Sequence, residues 1–299
     1  MADGNERVGF VGLGIMGKPM ARNLVNEGYE VTVYDLNSEP VEELVTDGAK
    51  MASSPASVAE NSDLTITMVP NSPHSQAAIL GQDGVLSGAS RGHLVVDMSS
   101  IAPLVSQDIA KACQDAGVDF LDAPVSGGEP GAVAGTLAIM VGGEQKAFDR
   151  AKPLFDIMGN SAVLCGPVGA GGFTKLANQI CVAANIKGLA EALVLTSKAG
   201  LDPETVFNAI KGGLAGSNVM NAKAPMMFGR NFQPGFRIEL HLKDINNTMD
   251  TAQELNLPLE MTAHLQQVLK TLVNDGKGTL DHAGILQYIE QQAHVEVKK

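Results

Sequence analysis

Short apolar runs alternate with helix-length segments through the first half of the chain. Seven runs have the length and composition of buried strands: Val8–Val11 and residues 30–34, 64–69, 94–96, 118–121, 137–141 and 162–164. Such alternation is typical of a parallel sheet covered by helices on both faces. The pattern therefore predicts a doubly wound α/β domain over residues 1–166.

The pattern changes after Gly166. A helical stretch rich in Ala, Leu, Ile and Val runs from about residue 174 to residue 199, and further helical segments without a convincing strand follow it. This change predicts a second, all-helical domain over residues 167–299 that begins with a long interdomain helix. Polar side chains interrupt this helix at Lys175, Asn178, Gln179, Asn185, Lys187 and Glu191. Because no unbroken run reaches about 20 apolar residues, we expect no membrane span.

A glycine-rich turn, GLGIMG, follows the first predicted strand. Gly12 permits a tight turn, Gly14 lets the backbone approach a pyrophosphate, and Gly17 lets the next helix pack on the strand. The unpaired N–H groups at that helix start favour the negative charge without a basic side chain. The turn predicts a dinucleotide site of the Rossmann type, formed also by its intervening residues Leu13, Ile15 and Met16.

Asp35 ends the second predicted strand, eighteen residues after Gly17. A carboxylate at this strand end accepts hydrogen bonds from a ribose 2′-OH and repels a 2′-phosphate, and no arginine follows at Leu36 or Asn37. Asp35 therefore favours NAD over NADP. The alternative is an ordinary turn or helix-capping carboxylate.

Another candidate site follows the predicted strand at residues 118–121. Ser126, Gly127 and Gly128 lie where the chain emerges at the carboxyl edge of the sheet, the edge at which ligands bind in such folds. A hydroxyl and two successive backbone N–H groups suit a substrate carboxylate. The alternative is an ordinary Ser-Gly-Gly turn.

The long helix carries a candidate proton donor near its start. Helical spacing puts Lys175 on one face with Asn178 and Gln179. A lysine on an apolar helix beside an amide is a plausible general acid, whereas an isolated lysine near a helix start is more often a solvated surface charge.

Composition limits the class of protein. A formal charge of −12 without a basic cluster disfavours nucleic acids and anionic membranes as partners. Cys113, Cys165 and Cys181 are odd in number and far apart, which predicts reduced, buried thiols in the cytosol. The histidines lack metal-ligand spacing, so we expect no metal. The polar N-terminal segment, residues 1–6, is unlike a targeting peptide, and we expect a cytoplasmic protein.

Six ordered motifs resemble the β-hydroxyacid dehydrogenase family across nearly the whole chain: GLGIMG, MVPN at 68–71, DMSS at 97–100, DAPVSGG at 122–128, GAGGFTKLANQ at 169–179 and the segment 236–244. This resemblance implies hydride transfer between NAD(H) and a small semialdehyde or hydroxy acid. It also implies a homo-dimer or homo-tetramer. A catalytically silent sensor of the NADH/NAD ratio is the alternative from another class, and it needs neither a proton donor nor a carboxylate site.

The resemblance also implies roles for individual residues. Lys175 matches the catalytic lysine of the family, and Ser126, Gly127 and Gly128 match its substrate-carboxylate site. Asn178 or Gln179 then contacts the substrate; much of the family has Asn at the position of Gln179, so either amide fits this role.

Further positions match the cofactor side of the family's site. The matched residues are Val69, Pro70, Asn71, Ser100 and Lys243. Ser100 stands where the family more often has Thr. Phe236 matches a residue that closes the substrate pocket.

Overall fold

The computed structural model describes residues 6–298, so the segment Met1–Asn5 lies outside the described residues. The strands are β1 (Val8–Val11), β2 (Val31–Tyr34), β3 (Lys50–Met51), β4 (Leu64–Thr67), β5 (Leu94–Asp97), β6 (Asp119–Asp122), β7 (Val125–Ser126), β8 (Leu137–Gly142) and β9 (Gly159–Gly166). The chain divides into two compact units, one ending at Lys175 and the other beginning at Leu176.

Helices connect these strands and then form the rest of the chain. They are α1 (Gly17–Asn26), α2 (Ser38–Thr46), α3 (Pro55–Glu60), α4 (Ser72–Leu80), α5 (Val85–Gly88), α6 (Pro103–Asp115), α7 (Gly128–Ala134), α8 (Gln145–Met158), α9 (Ala170–Lys198), α10 (Pro203–Ile210), α11 (Asn218–Phe228), α12 (Ile238–Glu254), α13 (Glu260–Asn274) and α14 (Ile285–Ala293).

The first unit contains the doubly wound sheet that the sequence predicts. Its strand order is β3-β2-β1-β4-β5-β6-β8-β7, and β9 pairs with β8. Strands β1 to β6 are parallel, and the chain changes winding direction between β1 and β4. β1, β4 and β5 are buried along their whole lengths, as expected of strands covered on both faces. The carboxyl ends of β1 and β4 therefore mark a topological switch point, where such folds bind ligands.

The sheet departs from the parallel arrangement at β8, which is antiparallel to β6 and β7. Residues 127–136 connect β7 to β8 through the short helix α7. A parallel crossover needs about a dozen residues or more, so this connection is too short to return the chain to the opposite edge. The chain instead re-enters the sheet from its carboxyl edge.

The second unit is helical, as predicted. Its core joins apolar residues of α9 with those of α11, α12, α13 and α14, including Ile186, Met227, Ile245, Leu269 and Leu286. The helix α9 starts at Ala170, four residues before the predicted start. Among the described residues of this unit, β structure is limited to an isolated bridge between Arg237 and Asp281.

Within residues 6–298, α9 is the one helix whose length and composition suit a membrane span. Its most apolar window of 18 residues is 33% buried inside the protein. The polar side chains of α9 predict that it does not span a membrane, but one window of 18 residues in this helix is nevertheless apolar enough to do so. Core helices of water-soluble proteins have the same length and composition, and Lys175 and Gln179 in α9 are themselves buried.

The prediction that all three thiols are buried is wrong for two of them. Cys113 is buried in α6, and burial raises the pKa of its thiol to about 12. Cys165 and Cys181 are exposed. Successive side chains of β9 point to opposite faces of the sheet, and Cys165 lies with Ser161 and Val163 on the exposed face. All three are free thiols.

A buried histidine precedes β5, at the edge of the sheet opposite the strand carboxyl ends. His93 Nε2 lies 2.9 Å from Thr65 Oγ1, and its Nδ1 has no hydrogen-bond partner among the described residues. Burial first, and then the Arg150 cation, lower the pKa of His93 to about 4. Arg150 Nη1 donates a 2.8 Å hydrogen bond to Gly92 O. The folded protein therefore resists protonation of this imidazole.

We expect His93 to make the protein less stable as the pH falls from 6.5 towards 4. The unfolded chain binds a proton with a pKa of about 6.5 and the folded chain does not, so this group lowers the free energy of unfolding by up to about 1.4 kcal/mol per pH unit. Urea unfolding of the wild type and of His93→Gln at pH 7.0, 6.25 and 5.5 measures this slope. The variant should lose stability less steeply, and parallel slopes would contradict the assignment.

Candidate active site

The glycine-rich turn after β1 is shaped by close backbone packing. Gly12 has a φ of +94°, and a Cβ there would lie 2.3 Å from Met68 O. A Cβ on Gly17 would lie 1.9 Å from Gly12 O. A Cβ on Gly14 would meet nothing within 4 Å. The fold itself thus requires glycine at 12 and 17, whereas the absence of a side chain at Gly14 leaves open space in front of the turn.

The helix α1 begins directly after this turn at Gly17. No side chain within the described part of the chain caps its start, so its first N–H groups remain suited to an anionic ligand. Lys18 Nζ lies 2.9 Å from Glu43 Oε2 on α2 and thus has a carboxylate partner within the protein. The turn fits the pyrophosphate of a dinucleotide without a basic side chain.

Asp35 lies against the same turn. Its Oδ2 accepts a 2.6 Å hydrogen bond from Leu13 N, and its Oδ1 accepts one of 2.8 Å from Asn37 N. The turn alternative thus accounts for part of this carboxylate's bonding. A carboxylate has about four acceptor sites, so two remain for a ribose hydroxyl. Asn37 caps α2 by accepting from Glu39 N.

The loops after β4 and β5 are joined to each other by side-chain hydrogen bonds. Val69 N donates to Ser99 Oγ at 2.8 Å, and Ala102 N donates to Ser72 Oγ at 3.1 Å. Pro70 and Asn71 lie in the first loop and Ser100 in the second. The Asn71 side chain also caps α4 by accepting from His74 N.

The buried carboxylate of Asp97 is hydrogen-bonded to the end of β4 and to the loop after β5. Asp97 Oδ1 accepts hydrogen bonds from Thr67 Oγ1 at 2.9 Å and from Ser99 N at 3.0 Å. Asp97 is 1% exposed, and burial raises its pKa above the ordinary value. Ser99, which is held by Asp97, in turn accepts the hydrogen bond from Val69 N.

The segment after β6 forms a turn whose backbone only glycine adopts easily. The φ of Gly127 is +145° and that of Gly128 is +64°. Ser126 pairs with Ala138 in the antiparallel ladder of β7 and β8, and α7 begins at Gly128. A hydroxyl and two glycine N–H groups thus follow one another at the carboxyl edge of the sheet, as a carboxylate site requires.

Lys175 is buried, with 7% of its surface exposed, so the reading of this lysine as a solvated surface charge is wrong. It lies in the second turn of α9. The start of that helix is bound to the sheet by Asp122, whose two carboxylate oxygens each accept a 2.7 Å hydrogen bond, from Gly169 N and from Gly172 N.

The two amides that follow Lys175 differ in their bonding. Gln179 Nε2 donates a 2.7 Å hydrogen bond to Asp244 Oδ2, and Lys243 Nζ lies 3.0 Å from Asp244 Oδ1. Asn178 Oδ1 is buried and has no hydrogen-bond partner among the described residues. The second unit therefore engages Gln179 in a charged network and leaves an acceptor on Asn178.

Phe236 packs against two histidines that are themselves in contact. Its ring centroid lies 5.7 Å from that of His241 and 5.3 Å from that of His282. The two imidazoles are 3.0 Å apart between their Nδ1 atoms. Asp281 Oδ2 accepts from Phe236 N at 3.1 Å, and Lys223 Nζ lies 2.9 Å from the same carboxylate. Buried side chains thus hold Phe236 in place.

Sequence reasoning missed several supporting residues, namely Asp97, Ser99, Asp122 and Asp281. Asp97 and Asp122 share the signal that identified Asp35, which is their position at the end of a strand. Asp97 is the last residue of β5, Asp122 is the last residue of β6, and Asp35 directly follows β2 in the same sheet. Asp281 has no such signal: among the described residues the only local partner of its side chain is Ala283 N, and its bonds to Lys223, Gly235 and Phe236 join residues 45 or more positions apart.

A cleft of about 400 Å³ lies beside the glycine-rich turn. Its lining combines Gly14 and Ile15 of the turn with Asn37 after β2 and with Glu129, which directly follows Gly128. The cofactor turn and the helix α7, which begins at the end of the Ser-Gly-Gly segment, therefore border one cleft. Residues 6–298 contain no group of three His, Cys, Asp or Glu side chains that could hold a metal ion.

Comparison with known families follows this division of the chain. Residues 7–166 match the model of the NAD binding domain of 6-phosphogluconate dehydrogenase. Residues 169–289 match the model described as NAD-binding of NADP-dependent 3-hydroxyisobutyrate dehydrogenase. The chain belongs to the β-hydroxyacid dehydrogenase family. It is an NAD(P)-binding oxidoreductase that acts on a small molecule.

Relatives in this family differ in the substrates that their names print. The chain is 43% identical to 2-hydroxy-3-oxopropionate reductase of Escherichia coli (strain K12), over 96% of this chain and 98% of that protein. It is 36% identical to mitochondrial 3-hydroxyisobutyrate dehydrogenase of Mus musculus, over 95% and 87%. The structure of Mycobacterium tuberculosis 3-hydroxyisobutyrate dehydrogenase with L-serine superposes with a TM-score of 0.88 at 29% identity, over 95% and 99%.

Replacing Gly14 with alanine should separate folding from cofactor binding. The new methyl group meets no protein atom within 4 Å but enters the space that a pyrophosphate needs. We expect Gly14→Ala to unfold within about 2 °C of the wild type. Its Kd for NADH, measured by fluorescence titration, should rise about 10-fold or more, equivalent to about 1.4 kcal/mol.

Gly188→Ala is the matched control, because its Cβ also meets nothing within 4 Å and it lies on an exposed position of α9. It should bind NADH as the wild type does. If Gly14→Ala binds NADH equally well, the open space in front of the turn is not the pyrophosphate site.

Proposed function

We propose that this protein reduces tartronate semialdehyde (2-hydroxy-3-oxopropanoate) to glycerate with NADH, reversibly. The observation that carries the proposal is the 43% identity with 2-hydroxy-3-oxopropionate reductase, which extends over nearly the full length of both chains. The buried lysine and the Ser-Gly-Gly segment supply the two functional groups that this reaction needs. The substrate has a carboxylate to be held and an aldehyde oxygen to be protonated.

In this proposal each part of the site has one task. When bound, NADH supplies a hydride to the aldehyde carbon. Lys175 stabilises the negative charge that develops on the aldehyde oxygen and donates a proton to it. Ser126 and the N–H groups of Gly127 and Gly128 hold the substrate carboxylate, which orients the aldehyde carbon and keeps it from turning towards solvent.

We assign the substrate-contacting amide to Asn178 rather than Gln179. Gln179 Nε2 is engaged by Asp244, whereas Asn178 Oδ1 is buried without a partner in the described part of the chain. A buried acceptor of this kind favours a ligand hydroxyl or ammonium donor. The roles proposed for Phe236 in the substrate pocket and for Lys243 at the cofactor rest on the family resemblance.

NADH is proposed as the cofactor because of Asp35. Its carboxylate lies on the glycine-rich turn, where a 2′-phosphate would meet a like charge. Leu36 is 89% exposed and provides no cation for such a phosphate. Discrimination against NADPH should follow from this arrangement.

We further propose a homo-oligomer, dimer or tetramer, in the cytoplasm. The oligomer rests on family resemblance. The location rests on the three cysteines, which are free thiols, as is typical of a reducing compartment.

A second candidate is 3-hydroxyisobutyrate dehydrogenase activity. It is favoured by the structural likeness to the Mycobacterium tuberculosis enzyme and by 36% identity with the mouse protein. Its oxidation product, methylmalonate semialdehyde, also joins an aldehyde to a carboxylate, so the same lysine and Ser-Gly-Gly segment serve it. The two substrates differ in the group beside the aldehyde, a hydroxyl in one and a methyl in the other.

Rates decide between these functions. The purified protein should be assayed with NADH and with NADPH against tartronate semialdehyde, methylmalonate semialdehyde, succinic semialdehyde and glyoxylate. We expect the highest kcat/KM for tartronate semialdehyde with NADH, by about 100-fold over the methyl-bearing substrate, because a site that hydrogen-bonds a hydroxyl rejects the analogue without it. A preference for methylmalonate semialdehyde would contradict the proposed substrate, and a preference for NADPH would contradict the proposed cofactor.

Lys175→Ala should lower kcat by about 10²- to 10⁴-fold, since the aldehyde oxygen loses its proton donor. The Kd for NADH should stay the same, because the glycine-rich turn is untouched. Stopped-flow oxidation of NADH measures the rate, and fluorescence titration measures the binding. Lys198→Ala, the same change at the exposed end of α9, is the control and should turn over normally. Near-normal turnover of the Lys175 variant would refute the proposed role.

A further inference from the structure

Asp122 is a buried carboxylate at the carboxyl end of β6. It is 2% exposed, and each of its oxygens accepts a 2.7 Å hydrogen bond from a backbone N–H, Oδ1 from Gly169 and Oδ2 from Gly172. Both donors belong to the start of α9, 47 and 50 residues further along the chain. One side chain thus ties the end of a central strand to the first turn of the long helix.

The two donors are the groups that a capping box normally satisfies. Phe173 N donates to Gly169 O at 2.9 Å, so Gly169 is the N-cap residue of α9 and Gly172 is its N3 residue. In a capping box, side chains within the helix accept hydrogen bonds from the N–H groups of these two positions. Gly169 and Gly172 have no side chain, and the carboxylate of Asp122 accepts both bonds from outside the helix. The position of the helix start is thereby set by the sheet.

Glycines make room for this contact from two sides. A Cβ on Gly142 of β8 would lie 2.4 Å from Asp122 Oδ1, and a Cβ on Gly171 would lie 2.5 Å from Asp122 O and 2.9 Å from its Oδ2. These distances are shorter than any Cβ contact tolerates. The carboxylate therefore occupies a space that the surrounding backbone keeps free of side chains.

The same residue leads into the Ser-Gly-Gly segment. Ala123 N donates to Asp97 O at 2.7 Å, which continues the sheet, and Ser126 follows four residues after Asp122. In the other direction, Lys175 lies three residues after Gly172, about 4.5 Å further along the helix axis. Asp122 is thus connected by short, rigid stretches of backbone to both functional segments of the first unit.

We propose that Asp122 is a positioning residue for Lys175, fixing the start of α9 relative to the Ser126 segment so that the lysine ammonium reaches the aldehyde oxygen of a substrate held there. The proposal rests on the proposed role of Lys175 as proton donor. Displacement of a catalytic group by about 1 Å costs up to about 100-fold in rate, so a bond that fixes the helix start has a measurable effect on turnover.

The energetic cost of this carboxylate supports a role beyond folding. Burial raises the pKa of Asp122 to about 7; the nearby Asp97 carboxylate contributes to this rise, and the hydrogen bonds from Gly169 and Gly172 oppose it. A neutral side chain at this position would avoid the desolvation of a charge. An anion that accepts from both N–H groups holds the helix start more firmly than a neutral acceptor does.

Asp122→Asn tests the proposal with almost no change in shape. The carboxamide accepts from one N–H group, and its NH₂ faces the other donor, so the helix start loses one bond. We expect kcat to fall about 10- to 100-fold while the Kd for NADH stays within about 2-fold of the wild type. Asp119→Asn, at the exposed opposite end of the same strand, is the matched control and should leave both values unchanged. Wild-type kcat in Asp122→Asn would overturn the proposal.

A double-mutant cycle asks whether Asp122 acts through Lys175. If it does, Asp122→Asn in the Lys175→Ala background should change the residual rate by less than about 2-fold, because the positioned group is already absent. Single-turnover oxidation of NADH at high enzyme concentration makes such slow rates measurable. If the two losses multiply, Asp122 acts by another route and the inference fails, while the lysine role stands. If Lys175→Ala alone turns over normally, the proposed function fails first.

Asp122→Ser covers the case in which the Asn variant does not fold. Serine is smaller, fits the same space and keeps one acceptor, so the same rates and the same cycle apply. If neither variant folds, the carboxylate is required for the fold itself, and a specific role in placing Lys175 is overturned.

Discussion

The loops of the first unit depend on carboxylates that accept backbone N–H groups at the carboxyl edge of the sheet. Asp35 directly follows β2, Asp97 is the last residue of β5 and Asp122 is the last residue of β6. Asp35 and Asp122 accept hydrogen bonds from the backbone of another loop and of a helix start, and Asp97 accepts one from Ser99 N in its own loop. Loops that leave a parallel sheet cannot pair in its ladder, so their buried N–H groups need other acceptors. Strand-end aspartates provide them and simultaneously fix where each loop begins.

The three carboxylates divide the site between cofactor and chemistry. Asp35 binds the glycine-rich turn, and Asp97 holds the loops that contain Pro70 and Ser100 through Ser99. Asp122 binds the helix that contains Lys175. Removing one therefore affects a separate part of the reaction.

The sequence was most informative where one local motif contains all the interacting residues. The glycine-rich turn is such a case, because Gly12 and Gly17 pack against each other within six residues, and the alternation of strands and helices is another. The sequence shows Asp122 only as part of a motif, because its partners lie 47 and 50 residues away. The exposure of Cys165 and the antiparallel direction of β8 do not follow from the sequence for a related reason. They depend on strand order and on what covers each face of the sheet, and no local pattern encodes either.

The bonding of Gln179 suggests how one substitution within a motif preserves the chemistry of a site. Positions three and four residues after Lys175 lie on either side of it on the helix face, at about −60° and +40° around the axis. Gln has one methylene more than Asn, and Gln179 uses this reach to donate to Asp244, whose other oxygen lies beside Lys243. In the proposed function, the amide that contacts the substrate beside the lysine is then Asn178. This change moves an acceptor from one side of Lys175 to the other without removing it, which is compatible with the same proton transfer from Lys175 to a differently oriented substrate.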